Sequence, residues 1–585
     1  MTETVDPSPV TTTDTPTGAG PNWWRTATVY QIYPRSFADT NGDGVGDLRG
    51  VIAKLDYLAG LGIGVVWLSP VYPSPQDDNG YDISDYYDID PMFGTLDDFD
   101  ELIREAHTRG IRVVMDLVVN HTSDEHPWFV ESRDPAGPKR DWYWWRPPRT
   151  RTEGDIASPL PNNWGSRFSG SAWQFDERSG EYYLHIFSRK QPDLNWENAD
   201  LRREIHRMMR WWLDRGVDGF RMDVINFITK PVDLPDAPLA AGALHADAEA
   251  LYANGSRLHE FLQEMHREVF AGRKDRLLTV GETPGTSMEQ ARLLTDPSRG
   301  GLDMVFQFEH VELDHGQDKW DVRPFDLVAL KRTLERWQVG LADTGWNSLY
   351  WNNHDQPRAI SRWCNDTTYR VESATLLATV LHLHRGTPYV YQGEEIGMTN
   401  MPFRSIDDFA DIQSRNYYAE AVAGRGMPAE LVLDALRRRS RDNGRSPMQW
   451  DDTENSGFST GTPWLRLNPN FEYVNVAAQL DDPRSVLAHY RALIALRKTE
   501  PLVTDGVFTL LFPDDPTIYA FTRTLSDRGL LVLANFSSAA VAVPDEALRD
   551  WFDSRLVIAN YADTLPTLQH SARLRPWEAV VMIRE

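Results

Sequence analysis

From Thr28 onward the chain alternates short, nearly continuous apolar runs with stretches in which apolar residues recur every three or four positions. The apolar runs predict strands: TVYQIY from Thr28, GVVWLS from Gly64, RVVMDLVVNH from Arg112, VDGFRMDV from Val217, LLTVGET from Leu277, DMVFQFE from Asp303, NSLYWNNHD from Asn347 and PYVYQGEE from Pro388. Helical patterns lie between most of them. LDDFDELIREAHTRG places Phe99, Leu102, Ile103 and Ala106 on one face and stops at Gly110, and LRREIHRMMRWWLDRG repeats the design up to Gly216. Strands apolar on both faces and alternating with helices form parallel β/α units. About eight of them fit an α/β fold of the closed (β/α)8 type, a TIM barrel, better than an open doubly wound sheet.

Departures from this rhythm mark the other parts of the chain. Residues 1–22, rich in Thr, Pro and Gly, read as a disordered tail; they lack the basic start and apolar segment of a signal peptide. The barrel is expected over 23–120 and 197–502. It is interrupted at 121–196, after the third strand, by an inserted domain whose length exceeds that of a plain connection. The tryptophans of DWYWWRPPR and NNWGSRFSGSAW are expected to pack that insertion rather than to stack on a ligand. A second excursion spans about 397–480, and SVLAHYRALIALRKTEP then closes the barrel. Over 503–585, GVFTLLF, IYAFTRTL, GLLVLANFS and AVVMIRE predict an antiparallel C-terminal β-domain.

The chain of 585 residues is 41 % hydrophobic, enough for a large core, and its formal net charge of −26 argues against a nucleic-acid or anionic-membrane partner. A single cysteine, Cys364, excludes an internal disulfide, and no apolar run approaches the length of a membrane span. A cytoplasmic protein is expected, as a monomer or weak homo-oligomer.

Chemistry in such a barrel gathers where strands end. Those ends carry Asp116, His121, Arg221, Asp223, Glu282, His354 and Asp355. Alternation along a strand points Arg221 and Asp223 to one face, and Phe220, Met222 and Val224 to the other. Three carboxylates, Asp223, Glu282 and Asp355, converging from three strands cost desolvation and mutual repulsion, so a task is expected of them. No histidine cluster with ligand spacing accompanies them, so no metal need be invoked there; no glycine-rich phosphate loop follows a strand, and no organic cofactor is expected. Paired carboxylates are suited to cleaving a glycosidic bond, one attacking the anomeric carbon and the other donating a proton to the leaving oxygen. Arg221 is expected to orient Asp223 and keep it charged.

DLVVNH, GFRMDV, VGET and NNHD resemble, in order, the four core motifs of the α-amylase family of glycoside hydrolases (family 13). QPDLNWEN resembles the fifth motif of its oligo-1,6-glucosidase and α-glucosidase group, as do YQIYPRSFADTNGDGVGDLRG, SPQDDNGYDISDYYDIDPMFGT and SRDNGRSPMQWDD. The resemblance implies a barrel with an inserted B domain, acting with retention on short α-glucosides. It makes Asp223 the nucleophile, Glu282 the general acid/base and Asp355 the stabiliser of the oxocarbenium-like transition state. Arg221, His121 and His354 would complete the subsite for the transferred glucose, with Tyr81 as a stacking floor and Phe187 and Gln191 lining it. Asp78 and Arg441 would clamp the non-reducing end, closing the pocket so that single glucose units are released. Val224, directly after the nucleophile, goes in that group with α-1,6 bonds, where Thr or Ala goes with α-1,4.

The same resemblance gives DTNGDGVGD, which begins like an EF-hand loop but has Gly50 at the twelfth position, a structural Ca2+ site. Its ligands would be Asp39, Asn41, Asp43 and Asp47, with the Val45 carbonyl. The alternatives are an α-1,4-preferring glucosidase, a transglucosidase, and a sucrose or maltose isomerase using the same covalent intermediate. The sucrose-isomerase loop RLDRD is replaced here by VELDHGQD. A non-catalytic barrel subunit of amino-acid transporters is the remaining alternative, and such subunits lack part of the carboxylate set.

Overall fold

The computed structural model describes residues 22–149, 159–273, 277–552, 554–567 and 570–585. The tail expected over 1–22 lies outside them except for Asn22. Eight parallel strands run in the order β7-β8-β1-β2-β3-β4-β5-β6. They are β1 (Val29–Ile32), β2 (Val65–Leu68), β3 (Arg112–Val118), β4 (Gly219–Asp223), β5 (Leu278–Glu282), β6 (Met304–Phe306), β7 (Ser348–Leu349) and β8 (Thr387–Tyr391). A parallel bridge from Val305 to Asn347 joins β6 to β7 and closes the ring. NNHD is therefore not strand but the loop leaving β7. Register aligns Asp116 with Arg221 across β3 and β4, Arg221 with Val280 across β4 and β5, and Glu282 with Phe306 across β5 and β6. This brings the motif residues to one end of the barrel. Gly219, where β4 begins, has its α-carbon so close to Leu278 of β5 that a Cβ would lie 2.0 Å from the Leu278 carbonyl oxygen.

The predicted helices form where the pattern places them. α1 (Leu96–Thr108) opens with a capping box between Thr95 and Asp98 and buries Phe99, Leu102, Ile103 and Ala106. α2 (Ala199–Asp214) is capped by Asn198. The excursion after β8 carries α3 (Ile412–Tyr418), and α4 (Val486–Thr499) closes the barrel. Arg497 of α4 is buried and donates to the carbonyls of Arg25 (3.1 Å) and His382 (3.0 Å), tying the chain before β1 to the helix before β8.

The insertion after β3 is built on a three-stranded antiparallel sheet of Trp145–Arg146, Glu181–Leu184 and Trp173–Asp176. Trp144, Trp164 and Trp173 are buried and pack with Leu184 and Ile186. The same cluster includes Val224, Phe227 and Tyr252, which follow β4, so the insertion and the catalytic strand share one core. At the C-terminus, five antiparallel strands lie in the order Val507–Leu511, Ile518–Leu525, Arg528–Asn535, Ala579–Arg584, Arg555–Ala559. RLVIA is the strand the pattern did not reveal, because it sits at the edge, bulged and half-exposed. Among the described residues, no helix is long and apolar enough to cross a membrane.

Candidate active site

Asp223 ends β4 and Glu282 ends β5, so two neighbouring strands of the ring deliver the carboxyls side by side. Between and beneath them lies Arg221, 1 % exposed. Its Nη1 donates to Asp223 Oδ1 (2.6 Å) and Asp116 Oδ1 (2.9 Å), and its Nη2 meets Glu282 Oε2 (2.8 Å). The arginine thus serves three carboxyls, where the strand pattern had paired it with Asp223 alone. Asp116 is fixed in turn by Tyr81 Oη (2.9 Å) and Trp67 Nε1 (3.2 Å), and the guanidinium lies 4.9 Å from the Trp67 ring centroid.

The strand was expected to continue through Val224, but it ends at Asp223. Val224 adopts φ 33°, ψ 43°, a left-handed conformation that a β-branched residue seldom takes. Two contacts hold it there. Its side chain packs in the core of the insertion, and its N–H donates to Glu282 Oε2 (3.1 Å).

Burial dominates the protonation of the pair. It pushes Glu282 up to about 8, with the charges of Asp223 and Asp355 adding to the rise and Arg221 opposing it. It pushes Asp223 up to about 7, again against Arg221. Both carboxyls are raised chiefly by burial, so the pair as a unit holds on to a proton near neutral pH. Asp355 goes the other way: burial alone would raise it, but the charges of Arg441 and Arg445 hold it well below the usual carboxylate range. Arg445 Nη2 donates to Asp355 Oδ1 at 2.7 Å.

The histidines are neutral donors. Gln31 Nε2 donates to His354 Nδ1 (2.8 Å), which leaves the proton on Nε2, and burial lowers this histidine to about 3. His354 Nε2 finds no hydrogen-bond partner among the described residues and lies 3.5 Å from Asp355 Oδ2, a donor aimed into the site. Tyr81 stacks on His354 with centroids 5.0 Å apart and 6° between planes, so it braces the histidine while its hydroxyl serves Asp116. His121, lowered by burial to about 4, accepts from Asn120 at Nδ1 (3.1 Å) and donates through Nε2 to the Tyr81 carbonyl (3.1 Å). Its ring packs against Phe187, 5.3 Å away.

The end of the pocket is built from three parts of the chain. Arg441 Nη2 donates to Asp78 Oδ1 (2.8 Å), and Gln191 Nε2 donates to Asp78 Oδ2 (3.1 Å). Phe168 of the insertion lies 5.0 Å from the Arg441 guanidinium. Arg441 also binds Asp411, through Nε (2.9 Å) and Nη2 (2.6 Å).

The structure thus brings Asp78, Tyr81, His121, Phe187, Gln191, Arg221, Val224, Glu282, His354, Asp355 and Arg441 around Asp223. Arg445 and Asp411 were not singled out from sequence. Arg445 stands in the quoted stretch SRDNGRSPMQW, which offered a signal; Asp411 lies in an excursion with no readable periodicity.

The loop bearing Asp39, Asn41, Asp43, Val45 and Asp47 lies apart from these residues. Asp39 accepts the amides of Asn41, Gly42 and Gly44 (2.8–3.0 Å), Asn41 that of Asp43 (2.8 Å) and Asp43 that of Val45 (2.8 Å). Asp47 caps the following helix through the Gly50 amide (2.7 Å) and holds Thr40. Among the described residues, no group of three or more His, Cys, Asp and Glu side chains is arranged to hold a metal.

Comparison with known proteins gives the same architecture. Residues 31–506 match the α-amylase catalytic-domain family. The chain is 56 % identical to the oligo-1,6-glucosidase of Parageobacillus thermoglucosidasius, over 96 % of this chain and 98 % of that one. It superposes on the crystal structure of Bacillus licheniformis trehalose-6-phosphate hydrolase with a TM-score of 0.89 at 44 % identity, covering 96 % and 99 % of the two chains. On the isomaltulose synthase of Klebsiella sp. LX3 the TM-score is 0.90 at 40 % identity, with the same coverage.

Proposed function

The chain belongs to the α-amylase family of glycoside hydrolases, and on that premise we propose that it is a retaining, exo-acting α-glucosidase that releases glucose from short α-glucosides, with α-1,6 linkages preferred. The observation that carries this reading is the Asp223–Glu282 pair, from adjacent strand ends and bridged by one guanidinium. Retaining enzymes hold their two carboxyls roughly 5–5.5 Å apart, and inverting ones leave room for a water between them. Carboxyls held by the two terminal nitrogens of one guanidinium match the shorter spacing.

In the first step the Asp223 carboxylate attacks the anomeric carbon as the bond to the leaving oxygen breaks, and Glu282 gives its proton to that oxygen. In the second, Glu282, now a carboxylate, takes a proton from water; the water oxygen bonds to the anomeric carbon and Asp223 departs. Two inversions give net retention. Asp355, held ionised, faces the positive charge that develops on the sugar. The His354 Nε2 proton and the outward N–H groups of Arg441 are the donors for the hydroxyls of the bound glucose.

The α-1,6 preference rests on Val224 and on relatives named oligo-1,6-glucosidase. The experiment that tests it is glucose release from isomaltose and maltose side by side, compared as kcat/KM. A preference for isomaltose supports the reading, and a preference for maltose makes the enzyme an α-1,4-type glucosidase with the same chemistry. Chromatography of the same mixtures separates hydrolysis from transfer to a second sugar.

The reading includes a structural Ca2+ on the loop of Asp39, Asn41, Asp43, Val45 and Asp47, whose hard oxygen donors are the type calcium takes. It also places the enzyme in the cytoplasm, as a monomer or weak homo-oligomer acting on free short oligosaccharides.

A further inference from the structure

We propose that Asp411 is a positioning residue that fixes Arg441 as the closed end of the glucose pocket, a role that rests on the exo-glucosidase reading above. Asp411 is fully buried and follows β8 in a stretch of the chain with no readable pattern. Its Oδ1 takes both the Nε and Nη2 protons of Arg441, at 2.9 and 2.6 Å, so one edge of the planar guanidinium is fully engaged. Nη2 reaches Asp78 as well, at 2.8 Å. Nη1 is left with a contact of 3.5 Å to Asp355, too long for a strong hydrogen bond. The fork is therefore turned so that its unspent donors face the space above Asp355.

The same carboxylate begins α3. Oδ1 accepts the Gln413 amide (3.1 Å), and Oδ2 accepts the Ser414 amide (3.2 Å) and hydroxyl (2.7 Å). From α3, Asn416 Nδ2 donates to the Phe168 carbonyl (3.1 Å) and Gln413 Nε2 to that of Arg167 (3.4 Å). Phe168 in turn lies against the Arg441 guanidinium. The contacts form a closed circuit from Asp411 through α3 and the inserted domain back to Arg441. A buried arginine released from such a partner keeps its charge but loses its aim.

Asp411→Asn tests this role, because asparagine is also a good helix cap but carries no charge for Arg441. Asp411→Asn, Arg441→Ala and the double variant are compared by kcat and KM on p-nitrophenyl α-glucoside, by glucose binding in calorimetry and by thermal midpoint. The contact serves ground state and transition state alike, so Asp411→Asn is expected to raise KM and the glucose Kd at least tenfold, with a smaller change in kcat and a lowered midpoint, because it takes one carboxylate away from a buried guanidinium. In the Arg441→Ala background the same substitution is expected to change KM less than twofold. A wild-type KM in Asp411→Asn overturns the proposal. So does an equal loss with and without Arg441, which would mean a general structural role. A wild-type protein that neither binds glucose nor hydrolyses α-glucosides would instead overturn the exo-glucosidase reading.

Discussion

Replacing Glu282 by glutamine removes the proposed proton donor while keeping the shape of the side chain. Glu282 is 6 % exposed, and burial pushes it up to about 8, so at neutral pH it enters the reaction protonated. A positioned general acid is worth about 100- to 10,000-fold in rate, equivalent to about 3–5 kcal/mol at 1.36 kcal/mol per decade. That loss is expected in full for isomaltose, whose leaving alkoxide is very basic. It is expected to be much smaller in the first step for p-nitrophenyl α-glucoside, whose phenolate leaves without a proton. The second step loses its general base with either substrate, and azide, which needs no base, is expected to restore turnover and give an α-glucosyl azide. The pH profile of kcat/KM is the second readout. In the wild type, rate falls below about 7 as Asp223 gains a proton and above about 8 as Glu282 loses one, two apparent values that belong to the pair. Glutamine does not titrate, so the alkaline limb is expected to vanish. Equal losses on both substrates without azide rescue, or an alkaline limb that persists, would refute the assignment of Glu282.

Val224→Ala is expected to shift the isomaltose-to-maltose ratio of kcat/KM toward maltose by no more than about 1–3 kcal/mol, since a few methyl groups are worth no more; an unmoved ratio removes Val224 as a determinant of linkage. Lys230 is buried with its Nζ on Asp193 (2.8 Å) and on Asn120 Oδ1 (2.9 Å), and Asn120 holds His121. Lys230→Ala leaves Asp193 unpaired and is expected to cost about 3–5 kcal/mol of stability, read from denaturant unfolding; a change below about 1 kcal/mol contradicts the buried-pair argument. Chelation is expected to lower the thermal midpoint and added Ca2+ to restore it, with Asp43→Ala abolishing the response; a midpoint indifferent to chelator and to Ca2+ rules out the calcium site.

The local pattern determined a good deal of this protein by itself. Short continuous apolar runs and period-3.6 apolar spacing, punctuated by glycines such as Gly110 and Gly216, specify strands and helices without reference to anything distant. The strand ends therefore announced Asp223 and Glu282, because a charge at the end of a buried strand has few places to go, whereas Asp355 sits in the loop beyond β7. The edge strand Arg555–Ala559 escaped because an exposed, bulged strand is under little pressure to alternate. Only the tertiary structure decided which charges meet. Arg221 serves Asp116 and Glu282 as well as Asp223 because the register of three strands sets Asp116 opposite it and ends β5 at Glu282, two residues past its partner Val280. Val224 leaves the strand because the core of the inserted domain and the Glu282 carboxyl hold it in a strained backbone. Arg441 points into the pocket because Asp78, far back in the chain, and Asp411 grip it from two sides. Such partners are separated by dozens to hundreds of residues, and an ion pair imposes no periodicity on the sequence between its members; only folding the chain brings them together.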